Sequence, residues 1–419
     1  MDVRRYEPKA MVLVLLYAYS TGVRSSRKIE RLCRRDVGFR VLAGNLQPDH
    51  ATLARFRRDH HEELAGLFTE VLKLCRAAGM VRVGVVALDG TKIKANAALD
   101  SNRTYPSIEE EVQRILKEAA STDHEEDVRA GGNGDDEVPP EMRSREDRLK
   151  RLQECKARLE SEAKAKADEQ RRKIKERAEE EARRGEKLRG RKPSEPKKKP
   201  EEEAKANVTD PESRIMKTRS GYVQGYNAQA IVTEDQVIVA AEITDEANDV
   251  KQLHPMLEAC RSDLRAAGVT RPIENVLADA GYWSESNAKR RGNAKAELFV
   301  ATNKEWKQRK ALRELPPPRG RIPDGLSPRD RMERKLLTKR GRGLYRKRGQ
   351  TIEPTFGQIK SVRGFERFMM RGKALCASEW KLICATHNLL KLWRRQLEQG
   401  VGAFSLFFRL RPPDLAWIG

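Results

Sequence analysis

The stretch VRVGVVALDGTKIKANA, residues 81–97, carries valines at 81, 83, 85 and 86 and breaks its apolar run at Asp89-Gly90. β-branched residues suit a pleated surface. Apolar residues at successive positions suit a strand buried on both faces. The spacing predicts a buried strand that exits at Asp89-Gly90. Strand character returns at GYVQGYNAQAIVTEDQVIVAAEIT, residues 221–244. Two runs there flank the polar turn Glu234-Asp235-Gln236, the pattern of an antiparallel hairpin. A helix is expected from about Asp249 to Ala267, a strand in ENVLADAGYW (274–283), a short helix near Ser284–Arg291 and a strand in AELFVATN (296–303). This alternation predicts an α/β domain built on a mixed sheet and flanked by helices, over residues 81–100 and 207–395.

Residues 1–80 read as an all-α domain. Pro8 suits the first turn of a helix, and SSRKIERLCRR and DVGFRVLAG suggest two short ones. In PDHATLARFRRDH (48–60), Asp49 is placed to cap a helix whose Leu53 and Phe56 face inward. Arg55, Arg57 and Arg58 are then displayed together, either for a DNA groove as in a helix-turn-helix or to solvent. Residues 101–206 form a charged insertion. It holds an amphipathic turn set at Ile108, Val112, Ile115 and Leu116, an acidic Gly-rich linker (123–140) and a long helix from about Glu141 to Glu186. Leu149, Leu152 and Leu159 give that helix a thin stripe, too brief for a coiled coil, and GRKPSEPKKKPEEE after it is expected to be disordered. Residues 396–419 form a C-terminal tail.

The chain of 419 residues carries a net charge of +22 and a pI near 9.8. A polyanion is the natural partner, and nucleic acid fits best. Cysteines 33, 75, 155, 260, 376 and 384 form no C-x-x-C pair, and the histidines complete no zinc pattern. The run MVLVLLYAY has no cleavage site after it, and no apolar stretch reaches the roughly 20 residues of a membrane span. A soluble cytoplasmic protein with reduced thiols is expected, with no membrane partner.

Three acids interrupt this basic background. Asp89 and Asp279 each end an apolar run and precede a small residue. Glu353 is the single acid among ten Lys or Arg between Arg334 and Arg363. It is expected early in a helix whose core side is marked by Phe356, Ile359 and Val362, with Lys360 two turns along on the same face. Neighbouring strand ends would bring Asp89 and Asp279 together, and the helix would add Glu353. Like charges 4 Å apart repel by about 1 kcal/mol in water and about 4 kcal/mol at an effective dielectric of 20. Divalent cations remove that penalty, and hard oxygen ligands suit Mg²⁺ or Mn²⁺. Two such ions can activate a water and stabilise a leaving oxygen in phosphodiester cleavage. Taken singly, each acid is more often structural. Lys92 and Lys94 alternate with Thr91 and Ile93, so both can meet phosphate or simply solvent. Trp283 either stacks on a displaced base or fills the core. His387 belongs to a closing helix.

The segments ALDGTKIKANA, GYVQGYNAQA, VLADAGYWSE and IEPTFGQIKSVRGFERFMMRG, with YAYSTGVRSSRKIERLC and LQPDHATLARFRR, together resemble the DDE transposases of bacterial insertion sequences. The resemblance spans nearly the whole chain. It implies a ribonuclease-H-like catalytic core, a helical N-terminal DNA-binding domain, and Asp89, Asp279 and Glu353 as the metal ligands. It also implies a signature of tyrosine, two residues, arginine, three residues, the Glu, six residues and a lysine. Tyr345, Arg348, Glu353 and Lys360 follow it with one extra residue between Arg348 and Glu353, so Arg346 stands as the alternative arginine. The implied chemistry is cleavage at the element's ends, then attack of the freed 3′-OH on target DNA, with Lys360 holding a phosphate. The implied partners are double-stranded DNA, as terminal inverted repeats and target, and a second copy of the chain, since two DNA ends must be paired. The implied setting is a bacterial cytoplasm, with the protein on the nucleoid when bound. A catalytically inactive DNA-binding relative and a nuclease of the same fold are the alternatives.

Overall fold

The computed structural model describes residues 6–129, 140–188, 190, 192–197, 199–218, 220–289, 296–303 and 314–399. Most of the expected acidic linker and the tail from residue 400 onward lie outside them. The chain divides into two compact units. The first comprises residues 1–94, 216–218 and 225–419, and the second 95–215 and 219–224.

The strands in chain order are β1 (Val85–Lys94), β2 (Asn102–Thr104), β3 (Lys205–Asn207), β4 (Arg214–Thr218), β5 (Gly221–Thr233), β6 (Ile238–Thr244), β7 (Asn275–Ala278) and β8 (Glu297–Val300). The main sheet runs β4-β5-β1-β7-β8, with β6 also on β5. Its pairing is mixed: β1 is antiparallel to β5 and parallel to β7, and β7 is parallel to β8. The expected hairpin is β5–β6, an antiparallel pair. Its turn closes with Gln236 at φ 61° and Thr233 N donating to Val237 O at 2.9 Å.

β1 corrects one expectation. Val85 to Leu88 are buried in succession, but the strand does not exit at Asp89-Gly90. The ladder to β5 continues as far as Lys94, opposite Gly225. What changes at Asp89 is burial, because the strand leaves the covered layer while keeping its hydrogen bonds. The helix expected from about Asp249 begins at Leu253, which leaves Asp249 in the preceding turn.

Five helices precede the sheet: α1 (Pro8–Ser20), α2 (Ser26–Arg35), α3 (Val37–Leu42), α4 (His50–Asp59) and α5 (His61–Ala77). Pro8 occupies the first turn, and Asp49 Oδ1 caps α4 by accepting from Thr52 N at 2.8 Å. These helices belong to the same compact unit as the sheet, not to the separate one expected for residues 1–80. Their anchor is the closing helix Lys373–Glu398, which packs on α5 and on β6. That helix buries Trp380, Ile383, Cys384 and Asn388. Trp380 Nε1 donates to Gln229 O at 2.9 Å, and Asn388 bonds both the N–H and the C=O of Ile238 at 2.8 Å. His387 is a core residue: its ring meets Gln236 O at 2.9 Å and Gln358 Oε1 at 2.8 Å. Burial pushes its pKa down to about 3, so it stays neutral.

The second unit has its own small core. α6 (Tyr105–Arg129) and α7 (Pro140–Arg184) are joined through Ile108, Val112, Leu152, Cys155, Leu159 and Ala206. The β2–β3 ribbon completes it. Beyond Ala167, α7 carries pairs such as Lys173–Glu169 at 2.7 Å and Arg177–Glu181 at 2.9 Å. Such pairs support a solvated helix by about 0.2–0.5 kcal/mol each. Between residues 185 and 204 the described residues form no helix or strand. All six cysteines are free and buried. Among the described residues no helix is long and apolar enough to cross a membrane.

Candidate active site

The parallel ladder between β1 and β7 pairs Leu88 with Ala278, so the next residue on each strand is Asp89 and Asp279. The sheet register alone sets the two carboxylates on adjacent strands. Asp279 caps the short turn Ala280–Tyr282, its Oδ1 accepting from Gly281 N at 2.8 Å. Asp89 Oδ1 accepts from Gly90 N at 2.9 Å, and Oδ2 from Arg348 Nη2 at 2.7 Å. Burial pushes the Asp89 pKa up to about 6, and the charges of Asp279 and Asp249 add to it against Arg348 and the Gly90 N–H. A carboxylate placed here calls for a cation, and Arg348 supplies one.

Arg348 comes from the helix Lys339–Gly357. Thr338 caps that helix by accepting from Gly341 N at 3.0 Å. Glu353 therefore sits near the helix C-terminus, not early as expected. Pro354 lies inside the helix and cannot donate to Gln350 O; Gln236 Nε2 donates there instead, at 3.2 Å. A π-helical turn, Gln358–Val362, follows and shifts the register. Ile359 stays buried as expected, but Val362 is 76% exposed, which corrects its placement on the core side.

The same helix decides between the two arginines. Tyr345 Oη donates to Ala278 O at 3.3 Å, and Arg348 lies one turn further along, on Asp89. Arg346 is exposed. Burial works against the Arg348 charge, but Asp89, Tyr345, Asp279 and Glu353 outweigh it and raise its pKa. Glu353 itself is exposed. Among the described residues no group of three His, Cys, Asp or Glu side chains is set to hold a metal ion. The acids that act on Arg348 are Asp89, Asp279 and Glu353, and carboxylate oxygens suit a hard divalent cation. Lys360 reaches β1 just past Asp89, with Nζ donating to Thr91 Oγ1 at 3.2 Å and Lys92 O at 3.3 Å. Burial lowers its pKa, as does Lys94, while Glu366 raises it.

The remaining candidates divide. Arg55 and Arg58 are exposed on α4. Arg57 points the other way and is 6% exposed, which removes it from any displayed set. Its guanidinium donates to Tyr19 Oη at 3.1 Å, Arg24 O at 2.9 Å and Ser26 Oγ at 2.5 Å. Lys94 is exposed, whereas Lys92 Nζ stands 3.7 Å from Asp249 Oδ1. Trp283 is partly exposed and Tyr282 is the aromatic that fills the core.

Sequence reasoning missed Asp249, Asn227 and Gln229. Asp249 Oδ1 accepts from Asn227 Nδ2 at 2.7 Å and Gln229 Nε2 at 2.8 Å. The signal was available: Asn227 and Gln229 sit two apart in the part of the strand that is buried from Gln224 onward, where amides need partners.

Two segments match family models. Residues 323–393 match the transposase DDE domain, and residues 3–59 match the transposase domain DUF772. The first segment contains Tyr345, Arg348, Glu353 and Lys360; Asp89 and Asp279 lie outside both. Neither the curated proteins nor the solved structures contain a match to this chain.

Proposed function

We propose that this chain, an insertion-sequence transposase of the DDE type by its two matched domains, cleaves the ends of its element and joins the freed 3′-OH to target DNA. The observation that carries the reading is the β1–β7 register, with Asp89 and Asp279 next in line on adjacent strands and Arg348 of the matched DDE segment on Asp89. In this reading the sheet is the ribonuclease-H-like core of the family. Asp89, Asp279 and Glu353 would hold Mg²⁺ or Mn²⁺, two ions in all. Such cations supply Lewis acidity toward a phosphodiester and acidify a water molecule.

The chain's own residues bind and orient. Arg348 neutralises Asp89 and presents a guanidinium that would meet a DNA phosphate beside it. Lys360, fixed on Thr91 and on the Lys92 carbonyl, holds an ammonium beside Asp89 for the same purpose. Tyr345 keeps the helix face turned to the end of β7. Arg55, Arg58, Lys94 and Arg346 are exposed cations for the backbone of double-stranded DNA. Trp283, partly exposed after Asp279, is placed to stack on a displaced base. Pairing two ends calls for two copies of the chain or more.

The test is cleavage of DNA bearing the flanking inverted repeats. Asp89→Asn, Asp279→Asn and Glu353→Gln should each abolish end cleavage and leave DNA binding largely intact. Full strand transfer by any purified variant overturns the assignment. Binding without nicking by the parent protein would point to a DNA-binding relative, and cutting without joining to a nuclease of the same fold.

A further inference from the structure

We propose that Asp249 is a positioning residue that holds the Lys92 ammonium beside the Asp89–Asp279 pair, where it meets a DNA phosphate. The inference rests on the transposase reading for the identity of that phosphate. Its basis is where Asp249 sits. A Cβ built on Gly90 would lie 2.8 Å from Asp249 Oδ1, and one on Gly281 would lie 3.3 Å from Asp249 Oδ2. The carboxylate thus fills the space left by the two glycines that follow Asp89 and Asp279, one oxygen toward each. The sheet register supports the same placement: Gly90 pairs with Gln229 and Lys92 with Asn227.

Asp249 is held firmly. Asn227 and Gln229 both donate to Oδ1, and Tyr282 Oη in turn donates to Gln229 Oε1. The amides account for the carboxylate's position, and Lys92 at 3.7 Å is the cation facing it. That distance is an ion pair without a tight hydrogen bond, so the ammonium keeps donors for another acceptor. Asn227 Oδ1 also lies 2.8 Å from the Cβ position of Gly90, so this network fills the space over that glycine on the strand that carries Lys92.

Charge balance gives the physical reason for the arrangement. Arg348 sits on Asp89 and Lys92 faces Asp249. Asp249 gives Lys92 a counter-charge of its own, 3.7 Å away. Asp249 keeps Lys92 at the site yet off the catalytic acids.

The full-length chain is tested as Asp249→Asn, Asp249→Glu, Lys92→Met and the double variant Asp249→Asn/Lys92→Met. Single-turnover end cleavage, salt dependence of DNA binding and the melting temperature are read for each. Asp249→Asn and Lys92→Met should each slow cleavage at least tenfold, the double variant no further, and Asp249→Glu should recover most of the rate. The slope of log affinity against log salt should fall by about 0.9 for either single variant, the loss of one phosphate contact. Wild-type cleavage and slope in Asp249→Asn, or losses that multiply in the double variant, overturn the proposal. If Asp249→Asn does not fold, Asp249→Glu and Lys92→Met decide between the same outcomes. A parent protein that binds DNA without cutting it would sink the transposase reading alone, because the salt slopes still test the Asp249–Lys92 pair.

Discussion

Replacing Asp89 by Asn should make the protein more stable at neutral pH while ending its activity. Burial, with Asp279 and Asp249 behind it, raises the Asp89 pKa from 3.8 to about 6 even with Arg348 attached. Its side chain is 20% exposed, so little of this is lost to solvent screening. Between those two values the folded chain binds more protons than the unfolded one, so this group's contribution falls as pH rises from about 4 to about 6 and is flat above. At about 1.4 kcal/mol per pH unit, the carboxylate costs the folded state about 3 kcal/mol at neutral pH. An Asn carries no such charge and can still accept from Arg348. The measurement is urea unfolding of both proteins, with chelator present, at about pH 4 and about pH 8. The two should nearly coincide at the lower pH, and the Asn variant should lead by up to about 3 kcal/mol at the higher. A difference that does not change with pH, or a variant that loses ground as pH rises, would refute the reasoning. Millimolar Mg²⁺ gives an independent check, since it should raise the midpoint of the parent and leave the Asn variant unmoved.

Two further outcomes follow from buried partners. Glu379→Gln removes the buried charge that balances Arg57 through Tyr19 Oη and should cost about 3 kcal/mol in chemical unfolding, because an unbalanced buried charge remains; a loss under about 0.5 kcal/mol would mean solvent reaches the two groups. Trp380→Phe leaves Gln229 O without its indole donor and should cost about 1–3 kcal/mol by the same measurement.

The sheet was largely legible because strands buried on both faces leave unbroken apolar runs. Val85–Leu88, Val276–Ala278 and the two arms around Glu234-Asp235-Gln236 all read directly. The Asp pair was legible for the same reason, since each acid abruptly ends such a run. Glu353 was harder to place. A proline one residue later usually marks a helix start, and the side chain that makes Pro354 tolerable, Gln236, lies far away in sequence. Val362 failed because a π-helical turn breaks the spacing on which its placement depended. Arg57 was misread against its own periodicity: it lies four residues after Leu53 and so shares that buried face, but three arginines in four positions read as one cationic surface. Asp249 left only an indirect trace, because its partners come from strands β1 and β5 and converge through register alone.

The inward turn of Arg57 ties α4 to the strand that carries Asp89. Its guanidinium meets Tyr19 Oη, which donates to Glu379 Oε1 at 2.9 Å on the closing helix. Glu379 Oε2 accepts from the Met369 and Met370 amides at 2.9 and 3.1 Å. Just upstream, Phe368 N donates to Lys94 O at 2.8 Å and Lys94 N to Glu366 O at 2.9 Å, which fastens this loop to the end of β1. A series of hydrogen bonds, buried at Arg57, Tyr19 and Glu379 and running outward to the backbone of Lys94, thus links α4 to the strand that carries Asp89. Separating them would strand Arg57 and Glu379 in the interior without partners, a cost of several kcal/mol. The helix that displays Arg55 and Arg58 and the strand that displays Asp89 therefore belong to one compact unit. On the proposed transposase reading, the distance between bound backbone phosphates and the acids would then be a property of the fold, and selection of the scissile bond would need no hinge between reading and cutting.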